Sequence, residues 1–314
     1  MKVIFLSPLD KKTENLSKED IKGTPALYTY YLRTEFQKLG VESQYCTPGF
    51  VKGLDVNLES IVIPPGDHII SVYQRLFTRW CKNNKEPIKH IKKSIRGKIT
   101  SICDHETQNP IEDILFYSLP TKHELNKNKY IGCSIDPLLL YPQKDPLKIR
   151  ILVDHPYYGT DNRDQTYNLS KECLKFQNNN KDKKIEIRRF GGPDGVEDVN
   201  INNVKPSEYV RMSMATYPKA CEEYRKADIY LVTHPESLGL SVIESAACGS
   251  LILAPEGFIR PVMLQQSHFI TFPKTQIPWD LVMNDLNKRP YKTTKQKTWT
   301  ETAIKILNDL ERKI

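Results

Sequence analysis

The sequence predicts an α/β protein of two Rossmann-like domains facing a cleft. Short apolar runs alternate with amphipathic stretches along the chain, the order that builds a parallel sheet flanked by helices. Near the middle, Pro137, Pro142 and Pro146 interrupt the alternation and read as a stiff, extended linker. Residues 227–255 then read as a complete strand, polar loop, helix, glycine stop and strand. At 314 residues the chain has room for two domains of ordinary size.

In the first half, residues 2–7 form an apolar strand. Gly23, Thr24 and Pro25 lead into a helix in which Leu27, Tyr30, Tyr31 and Phe36 recur at three- and four-residue spacing until Gly40. Strand, glycine loop and helix is a nucleotide-fold opening; a plain helix start capped by Thr24 is the alternative. Strands are predicted at 42–46, 60–63 and 68–73, then basic helical pieces from 74 and over 88–95. A strand over 98–103 runs into Asp104, His105 and Glu106. A polar trio at the carboxyl end of a parallel strand is a site candidate; a loop histidine satisfied by backbone is the other reading. Strands at 114–117 and 129–134 close this half.

The second half restarts with a strand over 148–153 ending at Asp154. A helix over 167–177, a strand over 185–189 and a helix over 207–226 interrupted by Pro218 come next. In the 227–255 unit a strand breaks at His234-Pro235, passes Glu236, turns at Gly239 and enters a helix carrying Glu244. Ligands of open parallel sheets bind at this end of the strands. A glycine at a helix start lets backbone amides approach an anion, and the helix dipole favours negative charge there. A phosphate is therefore expected at Gly239 and Leu240. Two nearby carboxylates suit hydroxyl-rich groups flanking it, because a carboxylate accepts paired hydrogen bonds from vicinal hydroxyls. Ribose on one side and a hexose on the other describe a nucleotide sugar. A strand at 269–272 and helices over 279–286 and 295–314 complete the chain.

Glu236-Ser237-Leu238-Gly239-Leu240-Ser241-Val242-Ile243-Glu244 has a Glu-x7-Glu spacing, preceded by Ala227-Asp228 and followed by Ala247-Cys248-Gly249. This block resembles the retaining GT-B glycosyltransferases of the family-four type. It departs from them at His234-Pro235, at Ser237-Leu238 and at Ser250. Ile135-Asp136-Pro137 through Pro142 is similar to that family's interdomain segment. The resemblance implies an N-terminal acceptor domain over 1–145, a nucleotide-sugar donor domain over 146–294, and a terminal helix over 295–314 packing back toward the first domain. It implies that the Gly239 and Leu240 amides bind the donor diphosphate, with Ser237 and Leu238 in the same turn. Glu244 would take the ribose hydroxyls and Glu236 those of the transferred sugar. His105, beside Asp104, would orient the sugar or the acceptor, and the Gly23-Thr24 loop would meet phosphate or acceptor. The family normally grips the diphosphate with an Arg and a Lys after the 148–153 strand. Here Arg163 is the nearest candidate, without a Lys partner, and a surface arginine is the other reading. Arg189 and Phe190 would border the nucleobase; an ordinary turn is the alternative. No metal or separate cofactor is implied, the nucleotide-diphosphate sugar being a co-substrate.

Net charge is +8, and nine basic residues against Glu86 place the same excess between Arg75 and Lys98. An anionic partner is expected to meet this segment. Three readings stay open: a solvated lysine-rich face, docking on an anionic membrane to reach a glycan or lipid-linked glycan, or contact with DNA whose modified bases are the acceptor. Outside transferases, a non-catalytic nucleotide-sugar binding protein and a GT-B-like epimerase remain alternatives. Seven scattered cysteines without a Cys-x-x-Cys, and no apolar run near ~20 residues, point to a cytoplasmic protein, peripheral to a membrane under the docking reading.

Overall fold

The structure is a computed structural model. It describes residues 1–6, 17–21, 24–46, 64–72, 91–103, 112–117, 128–154, 160–201, 204–209, 213–235, 239–259, 268–274, 276–287 and 297–311. No helix among them is long and apolar enough to cross a membrane. The chain divides into two compact units, Met1–Ser134 together with Lys297–Ile314, and Ile135–Gln296. The division falls just ahead of the stretch marked by Pro137, Pro142 and Pro146.

The first unit holds a sheet of β1 (Lys2–Leu6), β2 (Glu42–Cys46), β3 (His68–Ser71), β4 (Ile99–Cys103), β5 (Ile114–Tyr117) and β6 (Asn128–Tyr130). The order is β2-β1-β3-β4-β5-β6 and every pairing is parallel. Val3 to Leu6 are buried without interruption, the pattern of a strand covered on both faces. Helix α1 (Thr24–Lys38) buries Leu27, Leu32 and Phe36, and the Phe36 ring meets Phe5 at 5.4 Å. The expected strand over 129–134 is instead split. Gly132 takes a left-handed φ of 76°, which ends β6 and sets apart β7 (Ser134–Ile135).

The second unit contains β8 (Ile149–Val153), α2 (Thr160–Asn179), β9 (Ile185–Phe190), β10 (Val196–Asp198), α3 (Tyr217–Lys226), β11 (Ile229–Leu231), α4 (Leu240–Ala247), β12 (Leu251–Pro255), β13 (Phe269–Phe272) and α5 (Trp279–Leu286). Its sheet runs β10-β9-β8-β11-β12-β13, parallel except for the β10–β9 pair. On one face Leu169, Cys173 and Phe176 of α2 and Val282 and Leu286 of α5 share a core with Ile151, Val153, Ile187, Leu251 and Leu253. Each large apolar side chain buried there contributes roughly 1.5–3 kcal/mol.

Residues 207–226 are not one helix. Pro206–Glu208 form a short 3-10 turn, and α3 starts only at Tyr217. Pro218 lies in the first turn, where a missing N–H and a fixed φ suit a helix start, so it opens the helix instead of interrupting it. The far end of α3 is closed by Lys144. Its Nζ donates to the Ala227 carbonyl and to Ser250 Oγ at 3.1 Å, and Ser250 Oγ donates to the same carbonyl at 2.7 Å. A cation there also complements the negative end of the helix dipole. Ser250, one of the residues that depart from the family pattern, thus belongs to a cap. Lys144→Met is expected to destabilise the protein by ~1–3 kcal/mol, seen as a lower urea midpoint at unchanged m value. An unchanged midpoint would remove the lysine from the cap.

The chain after Gln296 begins with β14 (Lys297–Thr298) and α6 (Trp299–Glu311). The Trp299 ring stacks on Tyr31 at 5.0 Å and meets Tyr28 edge-on at 4.9 Å. Thr300 Oγ1 donates to Glu35 Oε2 at 2.7 Å, and Ser134 Oγ lies 2.6 Å from Thr302 Oγ1. These contacts bind α6 to α1 and the carboxyl-terminal end of the first unit.

Candidate functional site

The strand order of the second unit creates the site. From β8 the chain moves outward to β9 and β10, then returns to lay β11 on the other side of β8. The connections leaving β8 and β11 diverge over their carboxyl ends, the switch point where doubly wound sheets take ligands. Val153 is level with Leu231 on one side and with Arg189 on the other. The Asp154 amide extends the ladder by donating to the Leu231 carbonyl at 2.9 Å.

Two ionisable side chains meet at this point. His234 Nδ1 lies 3.4 Å from Asp154 Oδ2, with the residues 5% and 1% exposed. Their positions are 80 apart in the chain, so the adjacency comes from strand order and not from local sequence. What the sequence does show of each is a polar residue directly beyond an apolar strand.

Beyond His234 and Pro235 the described chain resumes at Gly239. Its φ of 59° and ψ of 39° are left-handed, a conformation that a Cβ would strain, and it is the N-cap of α4. The first amides of any helix lack intrahelical acceptors, and those of α4 come directly after this turn at the ligand end of the sheet. Leu240 is buried at the helix start. At the other end Gly249, at φ 73°, donates to the Ala246 carbonyl, and Ser250 N donates to Ser245 O at 3.2 Å. This left-handed stop turns the chain directly into β12.

Glu244 projects from α4 into the unit and is 4% exposed. Its Oε1 has no hydrogen-bond partner among the described residues. Burial pushes the carboxyl up to about 8, opposed by the hydroxyl of Tyr217 at the start of α3. A carboxyl held this way is neutral near pH 7 and keeps an unused acceptor, an arrangement that is costly unless a ligand meets it.

Arg163 lies in the first part of α2, and its Nε is 3.3 Å from Asp164 Oδ1. Arg189 and Phe190 point to opposite faces of the end of β9. Arg189 is 6% exposed, donates from Nε to Glu197 Oε1 at 2.6 Å and sits 3.9 Å over the Tyr209 ring. Its Nη1 has no hydrogen-bond partner among the described residues. Phe190 packs against Tyr224 at 5.5 Å. Both side chains are packed inside the unit. Glu236, Ser237, Leu238, Asp104, His105 and Gly23 lie outside the described residues, as does the side chain of Thr24, where α1 begins. Gly239, Leu240 and Glu244 thus lie together on the α4 segment.

Cysteine chemistry is disfavoured in this unit. Cys173, Cys221 and Cys248 are buried and unpaired, and burial pushes the Cys248 thiol up to about 12.

Solved structures show the same architecture. The chain is similar to a sucrose-phosphate synthase from Thermosynechococcus elongatus, with a TM-score of 0.59 at 12% identity over 98% of this chain and 94% of that one. It is similar to the UDP-GlcNAc 2-epimerase of Methanocaldococcus jannaschii in complex with UDP-GlcNAc and UDP, at 0.57 and 10% over 99% of both chains. A glycosyltransferase involved in avilamycin A biosynthesis gives 0.54 at 9%, over 99% of this chain and 97% of that one. No protein-family profile and no curated protein matches the chain. Likeness over the full chain at such low identity defines the fold. It is the GT-B fold, with two Rossmann-like domains built on parallel sheets.

Proposed function

We propose that the protein is a glycosyltransferase that moves a sugar from a nucleotide-diphosphate sugar to an acceptor hydroxyl, with retention at the anomeric carbon. The observation that carries this reading is Glu244, a buried carboxyl with an unmet acceptor oxygen, on a helix opened by left-handed Gly239 at the switch point. Vicinal ribose hydroxyls would satisfy that oxygen.

In this reading the Gly239 and Leu240 amides and the α4 dipole bind the donor diphosphate and stabilise it as it leaves, a preorganised electrostatic contribution. Glu236, with Ser237 and Leu238, holds the transferred sugar. His105 and Asp104 orient sugar or acceptor, and Gly23 and Thr24 form a loop toward phosphate or acceptor. Arg189 and Phe190 border the base, and Arg163 adds positive charge. No metal is required, so turnover should survive chelation. Glu244→Ala is expected to weaken donor binding by ~1–3 kcal/mol in calorimetry, and wild-type affinity in that variant would sink the ribose role.

The acceptor we assign is a glycan or a lipid-linked glycan. In the described part of the basic segment, Lys92, Lys93 and Arg96 are exposed, while Lys98 Nζ donates to the Asp309 carbonyl at 2.9 Å. Three exposed cations support contact with an anionic surface, either membrane lipid or the backbone of DNA carrying modified bases. Flotation with anionic liposomes and binding to duplex DNA, each over a salt series, separate the two.

Likeness to the epimerase supports a second reading, in which the sugar is rearranged without an acceptor. Incubating the protein with common nucleotide sugars, with and without acceptor extracts, tests all readings by mass spectrometry of the products. A glycosylated acceptor supports transfer, an isomerised donor supports epimerisation, and no turnover of any donor leaves a nucleotide-sugar binding protein.

A further inference from the structure

We propose that Glu244 is a proton-linked reader of the donor's ribose: the empty site holds it as the neutral acid, and the vicinal ribose hydroxyls bind its carboxylate as the proton leaves to solvent. This rests on the nucleotide-sugar reading above and adds a regulation of that site, a donor affinity that rises with pH.

Burial argues first. Glu244 is 4% exposed on α4, and its Oε1 has no hydrogen-bond partner among the described residues. A carboxylate in such surroundings is costly unless a cation or several donors meet it. On α3 the groups that face Glu244 are the Tyr217 hydroxyl and the Cys221 thiol, and at the end of its own helix the Cys248 thiol. Burial keeps both thiols neutral. β12, packed along α4, runs from Leu251 to Pro255 without a titratable side chain. Lys144 and Arg225 act on the Cys248 thiol and Asp136 on that of Cys221, whereas Glu244 responds to burial and Tyr217 alone. Among the described residues, then, no cation is set against this carboxyl. One hydroxyl does not offset the loss of water, and the group is pushed up to about 8.

Ligand chemistry argues second. The unmet atom is an acceptor, and a ribose offers two adjacent O–H donors to one carboxyl group. Hydrogen bonds donated to an ionised carboxylate are roughly twice as strong as those between neutral groups, so the diol favours the charged form. On binding, the acid gives one proton to buffer and accepts two hydroxyl hydrogen bonds; it regains the proton when the nucleotide leaves. A 2′-deoxyribose keeps one hydroxyl of the pair and drives this exchange less. Place argues third. Glu244 follows left-handed Gly239 on the same helix, about 7.5 Å along its axis. That step is comparable to the one between a 5′-phosphate and the hydroxyls across its ribose.

The test is calorimetry of wild type and Glu244→Gln with UDP, GDP and ADP, each beside its 2′-deoxy counterpart, across pH 6.5 to 8.5. For the nucleotide that binds wild type, the ratio of deoxy to ribo Kd is expected to rise roughly five- to tenfold between pH 6.5 and 7.5 and to level off above about pH 8. The ratio removes the titration of phosphate and base, which both ligands share. Heats compared in Mops and Tris near pH 7 should show close to one more proton released with the ribonucleotide. In Glu244→Gln the ratio should not vary with pH. A flat ratio in wild type overturns the proposal, and so does a pH dependence that persists in the variant. Should the variant fail to fold, the wild-type proton count decides: an equal count for the two sugars would mean that Glu244 binds as the neutral acid, and overturns it. If no nucleotide binds wild type at any pH, the nucleotide-sugar reading itself falls, an outcome distinct from ribonucleotide binding that ignores pH.

Discussion

Glu244→Gln is expected to flatten the pH dependence of stability between about pH 5 and 8. Folding raises the pKa of this carboxyl from its ordinary 4.5 to about 8, so the folded protein favours the neutral form. The associated stability is fully present below the unfolded pKa and is lost as pH rises through the folded one. In that window each pH unit costs the unliganded wild type up to about 1.4 kcal/mol, a total on the order of 3–5 kcal/mol. Glutamine keeps the neutral shape and has no proton to lose. Urea midpoints at pH 5, 6.5 and 8 should converge for the two proteins at the acid end and separate at pH 8, with the variant more stable. Parallel curves would place Glu244 in contact with solvent or with a cation. A bound nucleotide sugar that hydrogen-bonds the carboxylate should recover part of the wild-type loss at pH 8.

Gly195→Ala is expected to cost about 3 kcal/mol or more and to lower the melting temperature accordingly. Gly195 has φ +85°, and a Cβ there would stand 2.4 Å from Ala215 Cα and 2.5 Å from Ala215 N. Backbone contacts cannot swing aside as a flexible side-chain end can. The turn is also tied down, since Gly191 N donates to Gly195 O and Gly195 N to Gly192 O, both at 2.9 Å. Ser213 Oγ donates to the Gly192 and Pro193 carbonyls from the segment on which Ala215 lies. The same turn comes directly after Arg189 and Phe190, so the variant should also weaken nucleotide binding if those residues border a base. A melting curve that overlays wild type would mean that the 213–216 segment yields freely.

Much of the fold is legible in the sequence because its signals are local. Apolar runs such as Ile149–Val153 and Leu251–Pro255 can hardly be anything but buried parallel strands, and Gly239 and Gly249 mark the two ends of α4. Pro218 misleads because a proline suits the first turn of a helix as well as it breaks the middle of one. Only the preceding segment, which is not helical, decides between the two. The split at Gly132 is hidden for a similar reason: a glycine in an apolar stretch does not announce its φ. In the candidate site, Glu244 and Gly239 stand out by their spacing within one segment. Asp154–His234 and Lys144–Ser250 do not, since each joins residues far apart in sequence through the order of strands. Knowing that β11 returns beside β8 is what turns two strand-end residues into a pair.

Helix α6 gives the chain an order of completion. Everything that builds the second unit is made before Trp299, whereas the first unit lacks its stacking partner for Tyr28 and Tyr31 until that residue arrives. During synthesis the later-encoded unit can therefore finish folding while the earlier one waits with two aromatic rings uncovered. Cutting the chain before residue 297 should then leave the second unit folded and the first prone to aggregate, an asymmetry that proteolysis of ribosome-bound chains would expose.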